Sequence, residues 1–281
     1  MTEVLLASGH LRKMNTEHAQ PVSYRLPVGD QSVEITKYIG HPIRIEHSGV
    51  INCSHCGSKT KKSFSQGYCY RCFQKLAQCD SCIMSPEKCH FDAGTCREPQ
   101  WGETHCMTDH IVYLANSSGI KVGITRLNQV PTRWMDQGAI QALPIFRVAT
   151  RKLSGLVETL FKEQVSDKTN WRKMLKGEVE YMHLPSVRDE LLDNAWNDIV
   201  ALQKEHGVQS IQVIDDGDDY EFEYPVEHYP TKVVTHNLDK NPSVEGVLQG
   251  IKGQYLILDT GVINIRKFGA YHVDVYGPES I

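Results

Sequence analysis

Hydrophobic positions fall into short alternating runs at both ends of the chain, with a block of mixed strand and helix periods between them. VSYRL (22–26), PIRIEH (42–47) and GVI (49–51) are separated by Gly, Asp and Pro, which predicts a small β element over residues 1–52. VEGVLQGI, QYLILD, GVINI and AYHVDV repeat the pattern near the C-terminus and predict a small antiparallel barrel or sheet there. In the middle, IVYLA and IKVGI flank the turn-like NSSG and predict a hairpin from Ile111, with LPIFRVAT (143–150) as a third strand. PTRWMDQ (131–137) reads as a helix with proline in its first turn. Leu156, Leu160 and Phe161 recur at helical spacing in SGLVETLFKEQ (154–164). A longer helix is predicted from Ser186, where S-V-R-D matches a capping box, to about Glu205, with Leu191, Ala195, Ile199 and Leu202 on one face. The acidic stretch 215–227 reads as a loop or a sheet edge.

Residues 53–110 show little periodicity and are rich in Cys, Gly and polar side chains, so metal ligation has to replace much of a hydrophobic core there. The expected class is α+β and multidomain. Its parts are an N-terminal β element (1–52), a Cys-rich zinc-binding region (53–110), an α/β domain (111–180) and a C-terminal helix plus small β-barrel or sheet (181–281).

All nine cysteines lie between Cys53 and Cys106, many in C-x-x-C pairs, which reads as metal ligation in a reducing compartment rather than a disulfide scaffold. No 18-residue apolar run occurs and the first fifteen residues lack a secretory pattern, so a cytoplasmic protein with no membrane partner is expected. The net charge of −4 conceals an asymmetry. Lys59, Lys61, Lys62, Arg71 and Lys75 occur between Asn52 and Gln78 without an acidic residue, whereas 215–227 is acidic without Lys or Arg. A local basic face can attract polyanions whatever the total charge; two oppositely charged solvated surfaces would give the same count.

Cys53-S-H-Cys56, twelve residues beginning with Gly57, then Cys69-Y-R-Cys72 supplies four soft ligands on two turns, as tetrahedral zinc requires. Gly57 can take the positive φ that turns backbone amides toward thiolate sulfur. His55 reads as a surface residue. Phe64, Tyr68, Tyr70 and Phe73 lie among the ribbon's cations, where they can stack on bases or fill the ribbon's own core. A second cluster follows: Cys79, Cys82, Cys89, Cys96 and Cys106, with His90, His105 and His110 between them. It is expected to hold a second zinc on Cys79, Cys82 and two further thiols, with an iron–sulfur cluster as the alternative.

V-Y-L at 112–114, K-V-G at 121–123, Arg133 and Glu158 resemble the GIY-YIG endonuclease superfamily, most closely its phage-type branch. The resemblance implies a small α/β fold with a three-stranded sheet, and phosphodiester cleavage using a tyrosine near water, an arginine on phosphate and a glutamate on one divalent metal. Tyr113 matches the first-triplet tyrosine, Gly123 the second-triplet glycine, Arg133 the arginine and Glu158 the metal ligand, for magnesium or manganese. Lys121 stands where many members carry a second tyrosine; it would serve as a base once desolvation lowered its pKa. Asn170 is a candidate for a further polar residue.

The longer arrangement CxxCG, GYCYRC, CDxC, PEKCH, GTCREPQWGETHC, VYLA, KVGITR and RWMDQGA resembles a family of uncharacterised bacterial proteins, over about residues 8–275. The expected function is zinc-stabilised nucleic-acid processing with DNA or RNA as partner, Lys59, Lys61, Lys62, Arg71 and Arg126 facing the polyanion. The rivals are a non-catalytic binding module and a thiol or metal-cluster sensor.

Overall fold

The computed structural model describes residues 2–165, 168–215 and 219–279; Asp216 and Asp218 of the acidic stretch lie outside them. In chain order the elements begin with β1 (Glu3–His10), β2 (Asn15–Glu17), β3 (Ser23–Val28), β4 (Gln31–Val33), β5 (Pro42–Ile51), α1 (Tyr70–Lys75) and α2 (Pro99–His105). The middle contains β6 (His110–Asn116), β7 (Ile120–Arg126), α3 (Thr132–Asp136), β8 (Gln141–Val148), α4 (Arg151–Lys162), α5 (Trp171–Leu175) and α6 (Leu184–His206). The remaining strands are β9 (Ile211–Val213), β10 (Tyr220–Glu221), β11 (Ser243–Lys252), β12 (Tyr255–Leu258), β13 (Gly261–Asn264) and β14 (Tyr271–Pro278).

The two terminal β regions, expected as separate elements, share one six-stranded antiparallel sheet in the order β1-β14-β5-β11-β12-β13. β14 lies between β1 and β5, with Gly9 opposite Val273 and Ile45 opposite Val275. PIRIEH and GVI are one strand rather than two, because both stretches of β5 pair with β14. A buried amide ties the N-terminal segment across: Gln254 accepts from the Met14 amide at 2.7 Å and donates to the Met14 carbonyl at 3.0 Å and to Asp136 at 2.9 Å. Its polar atoms are thus paired where water is absent.

The hairpin β6–β7 and the third strand β8 form as expected, but the sheet they build has five strands. β9 and β10 add to the free edge of β8, opposite Val148 and Ala142 respectively. The expected boundary at 180 is therefore crossed by both sheet pairing and helix packing. β6 is buried along its whole length because each face meets a different core. Ile111, Tyr113 and Ala115 pack with Trp134 and the six-stranded sheet. Val112 and Leu114 pack with Val157 and Phe161 of α4 and Ile199 of α6. That double burial explains the almost continuous apolar run IVYLA along this strand.

α6 starts two residues before the predicted capping box. The His183 imidazole accepts from the Ser186 amide at 3.3 Å, leaving Ser186 inside the helix. Among the described residues, no helix is long and apolar enough to cross a membrane.

Candidate metal centre and candidate active site

β5 ends two residues before Cys53, and α1 presents Cys69 at its N-cap and Cys72 in its first turn. Gly57 takes φ +70° and its amide donates to the Cys53 carbonyl at 2.9 Å, closing the knuckle as the sequence predicts. The sulfurs of Cys53, Cys56, Cys69 and Cys72 all lie within 4.8 Å of one another, with Cys56 and Cys69 at 3.8 Å. Hydrogen bonds from Ser58 draw the Cys56 thiol down to about 6, favouring thiolate. Burial and the neighbouring thiols push Cys72 up. Four sulfurs gathered this tightly can hold a metal ion such as zinc, which relieves the conflict by taking them all as thiolates. His55 is exposed and outside the set.

Tyr68 and Phe73 pack on the ribbon's small core, whereas Tyr70 is 54% exposed. Phe64 stands beside Tyr70 and Phe73 with ring centroids at 5.4 and 5.6 Å, and the Lys62 ammonium is 5.6 Å from the Phe64 ring. Lys59, Lys61, Lys62 and Arg71 are exposed on this lobe. Arg126 is half-buried at the end of β7, opposite His110.

The expected pairing of Cys79 with Cys82 is not what the fold provides. Cys79 is buried in the ribbon core with Cys53, Cys69, Cys72 and Leu76, and hydrogen-bonds Ser65. At Asp80 the chain turns away, its carboxylate accepting from the Ser81 amide at 2.6 Å and pairing with Arg97 at 2.8 Å. Cys82, Cys89, Cys96 and Cys106 instead line one cavity.

Tyr113 is directly opposite Gly123, and a Cβ on that glycine would lie 2.8 Å from the tyrosine Cζ and hydroxyl. The ring therefore reaches across β7, the edge strand of its sheet, and only glycine leaves room for it. At the hydroxyl end three elements meet. Tyr113 donates to the Gln137 side chain at 3.2 Å, and the charge of Arg133 on α3 acts on the same hydroxyl. The carboxylate of Glu158 on α4 also acts on it. Burial dominates and pushes the Tyr113 pKa up, so the hydroxyl stays protonated at neutral pH. Glu158 is 8% exposed and pairs with Lys162 at 3.2 Å, one turn along the helix.

Residues 40–273 match the family described as "Protein of unknown function (DUF2797)". The chain belongs to the DUF2797 family. No curated protein and no solved structure matches it. The DUF2797 span takes in all nine cysteines, Tyr113, Arg133 and Glu158, and leaves β1 to β4 outside.

Within the DUF2797 span the structure brings Tyr113, Gly123, Arg133 and Glu158 together and leaves two expected residues elsewhere. Lys121 is buried beside the hairpin turn, its ammonium donating to Thr169 at 2.8 Å. Asn170 caps α5, accepting from the Lys173 amide at 3.2 Å. Two cations that periodicity did not single out reach the site. Arg151 is half-buried where the charges of Arg133 and Glu158 both act on it, and its guanidinium donates to the Ile83 carbonyl at 2.6 Å. Arg266 is half-buried where the charges of Arg133 and Asp136 act on it, and donates to Gln66 of the ribbon at 2.6 Å. In sequence, a buried arginine looks the same as a solvated one, so only the fold reveals either.

Proposed function

We propose that this protein is a zinc-stabilised nucleic-acid-processing protein that hydrolyses a phosphodiester at the edge of β7, with Tyr113, Arg133 and Glu158 as its working side chains. The observation that supports the reading is that the charges of Arg133 and Glu158, on two helices, both act on the hydroxyl of strand residue Tyr113. In this reading zinc occupies Cys53, Cys56, Cys69 and Cys72, and the ribbon's exposed Lys59, Lys61, Lys62 and Arg71, with Arg126, meet the phosphate backbone of DNA or RNA. The adjacent rings of Phe64 and the exposed Tyr70 offer faces for unpaired bases.

The residue chemistry is consistent with the roles implied by the GIY-YIG resemblance. Arg133 would bind the scissile phosphate through its planar fork. Tyr113, whose hydroxyl donates a hydrogen bond to Gln137, would orient the attacking water through its oxygen once substrate binding opens that buried group. Water's oxygen forms the new bond to phosphorus while the bond to the departing sugar oxygen breaks, water's proton passing to solvent and the sugar oxygen taking one from solvent. Magnesium or manganese bound at the Glu158 carboxylate, with water completing its shell, would stabilise charge on that oxygen. Lys121 has no role in this scheme.

A second reading, a binding module without turnover, is favoured by one observation: Tyr113 is wholly buried. The two readings separate when the purified chain is incubated with DNA and RNA, with and without magnesium or manganese. Metal-dependent cleavage supports the first. Binding that weakens steeply with salt, without cleavage at any metal concentration, supports the second.

A further inference from the structure

Asp80, Cys82 and His90 meet at one point of the lobe that follows the ribbon. Besides the ribbon sulfurs they form the other set, among the described residues, in which three ligand atoms all lie within 4.8 Å of one another. Asp80 caps the turn Ser81–Ile83 that carries Cys82, and His90 comes two residues after the turn Pro86–Lys88. The three line a cavity of about 10 Å³, room for one water-sized sphere, whose wall also includes Cys89, Cys96 and Cys106.

The Thr95 hydroxyl fixes how the imidazole faces that space. It lies 2.8 Å from His90 Nδ1 and 3.4 Å from the His90 carbonyl. With its own proton directed at the carbonyl, the hydroxyl accepts from Nδ1–H, so Nε2 presents a lone pair. That lone pair faces another acceptor, Asp80 Oδ2, 3.4 Å away. The gap is longer than an ordinary N–H···O bond, and the Cys82 sulfur stands third beside it. A proton between them serves two of these atoms at most, whereas a metal cation serves all three. Zinc bonds of about 2.0–2.1 Å to nitrogen and oxygen, at the tetrahedral angle, place those two atoms about 3.3–3.4 Å apart, which is the separation found.

The hydrogen bonds around Asp80 hold its carboxylate in the orientation that such a site needs. Oδ1 accepts from the Ser81 amide at 2.6 Å and from the Ser81 hydroxyl at 3.2 Å, leaving Oδ2 toward His90. Arg97 pairs with Oδ2 at 2.8 Å and donates to the carbonyls of Phe73 and Leu76 at 3.2 and 3.4 Å, so the carboxylate is steadied from the ribbon side, as outer hydrogen bonds steady metal ligands.

We propose that Asp80, Cys82 and His90 bind one zinc ion, separate from the ribbon's, with a thiol of the cavity wall in the fourth position. One oxygen, one nitrogen and sulfur make a donor set that zinc accepts. The ion closes the loop 80–90, and that loop is pressed against α4, where a Cβ on Gly155 would clash with Pro86 and the Glu87 amide. Gly155 is three residues before Glu158 on the same helix, so the ion secures the support of the helix that carries the candidate carboxylate. The assignment does not depend on the phosphodiester reading.

The full chain, purified with zinc and then freed of excess metal, is assayed for zinc and iron and by X-ray absorption at the zinc edge. About two zinc ions per chain are expected, in a sulfur shell with a minority of oxygen and imidazole nitrogen. His90→Ala and Cys82→Ser should each lose about one zinc together with the imidazole signal, and the zinc that remains shows that the ribbon has folded. Cys79→Ala should keep both. Two zinc ions retained in His90→Ala, an all-sulfur shell in the wild type, or a single zinc that none of these variants changes would overturn the assignment. Iron in place of the second zinc, or a second zinc lost in Cys79→Ala but kept in His90→Ala, would overturn it as well.

Discussion

Tyr113 and Gly123 face each other across β6 and β7, and the tyrosine hydroxyl occupies the space that any side chain at 123 would need. The strand pairing thus fixes where the hydroxyl points, before Arg133, Gln137 and Glu158 close around it.

Gly123→Ala should therefore cost roughly 1–3 kcal/mol through overpacking. Denaturant unfolding measures it through the midpoint. Because the clash is with the ring alone, the cost should largely vanish when Gly123→Ala is made in a Tyr113→Leu background, as a double-mutant cycle reports. Equal costs in both backgrounds would mean that the ring does not lie over β7.

The ribbon should release its metal as a unit. Cys53→Ser or Cys69→Ser is expected to remove about one zinc per chain by elemental analysis and to lower the melting temperature. His55→Ala should keep full zinc content. Zinc lost on His55→Ala would show that the imidazole, and not four sulfurs alone, holds the ion.

Lys252 is a cost that the fold tolerates. It is 1% exposed, its ammonium 5.3 and 5.4 Å from the rings of Tyr224 and Tyr229, and burial lowers its pKa to about 8. The unfolded lysine titrates near 10.4, so the unfolded chain binds the extra proton between those values. Stability from this group is greatest above about pH 10 and falls as pH drops toward 8, by about 3 kcal/mol in all, partly offset by the aromatic rings. Lys252→Leu should accordingly stabilise the protein at pH 7 by roughly 1–3 kcal/mol, with the gain shrinking at pH 10. Unfolding at both pH values measures it; a variant less stable at pH 7 contradicts the burial argument.

Local signals in the sequence proved readable and distant pairings did not. The ribbon was legible because four ligands and Gly57 obey a spacing set by metal geometry. The β6–β7 hairpin was legible because two apolar runs flank NSSG. The second cysteine cluster misled because Cys79-x-x-Cys82 has the form of a knuckle, yet the turn at Asp80 sends its two thiols to different cores. The shared sheet could not be read locally either: Gly9 meets Val273 only after the whole chain has folded. Likewise, nothing in NIRKFG marks Arg266 as the cation that bonds Gln66 of the ribbon and stands within reach of the charge of Arg133.

The most direct test of the functional account is metal-dependent cleavage by the wild-type chain against Glu158→Gln, Arg133→Ala and Tyr113→Phe, each shown by circular dichroism and zinc content to be folded. The account predicts cleavage of a nucleic acid by wild type with magnesium or manganese. Glu158→Gln and Arg133→Ala should reduce it at least about a hundredfold, the scale of losing one electrostatic stabiliser, with Tyr113→Phe reduced less. No cleavage by wild type, or cleavage that survives unchanged in Glu158→Gln, would contradict it.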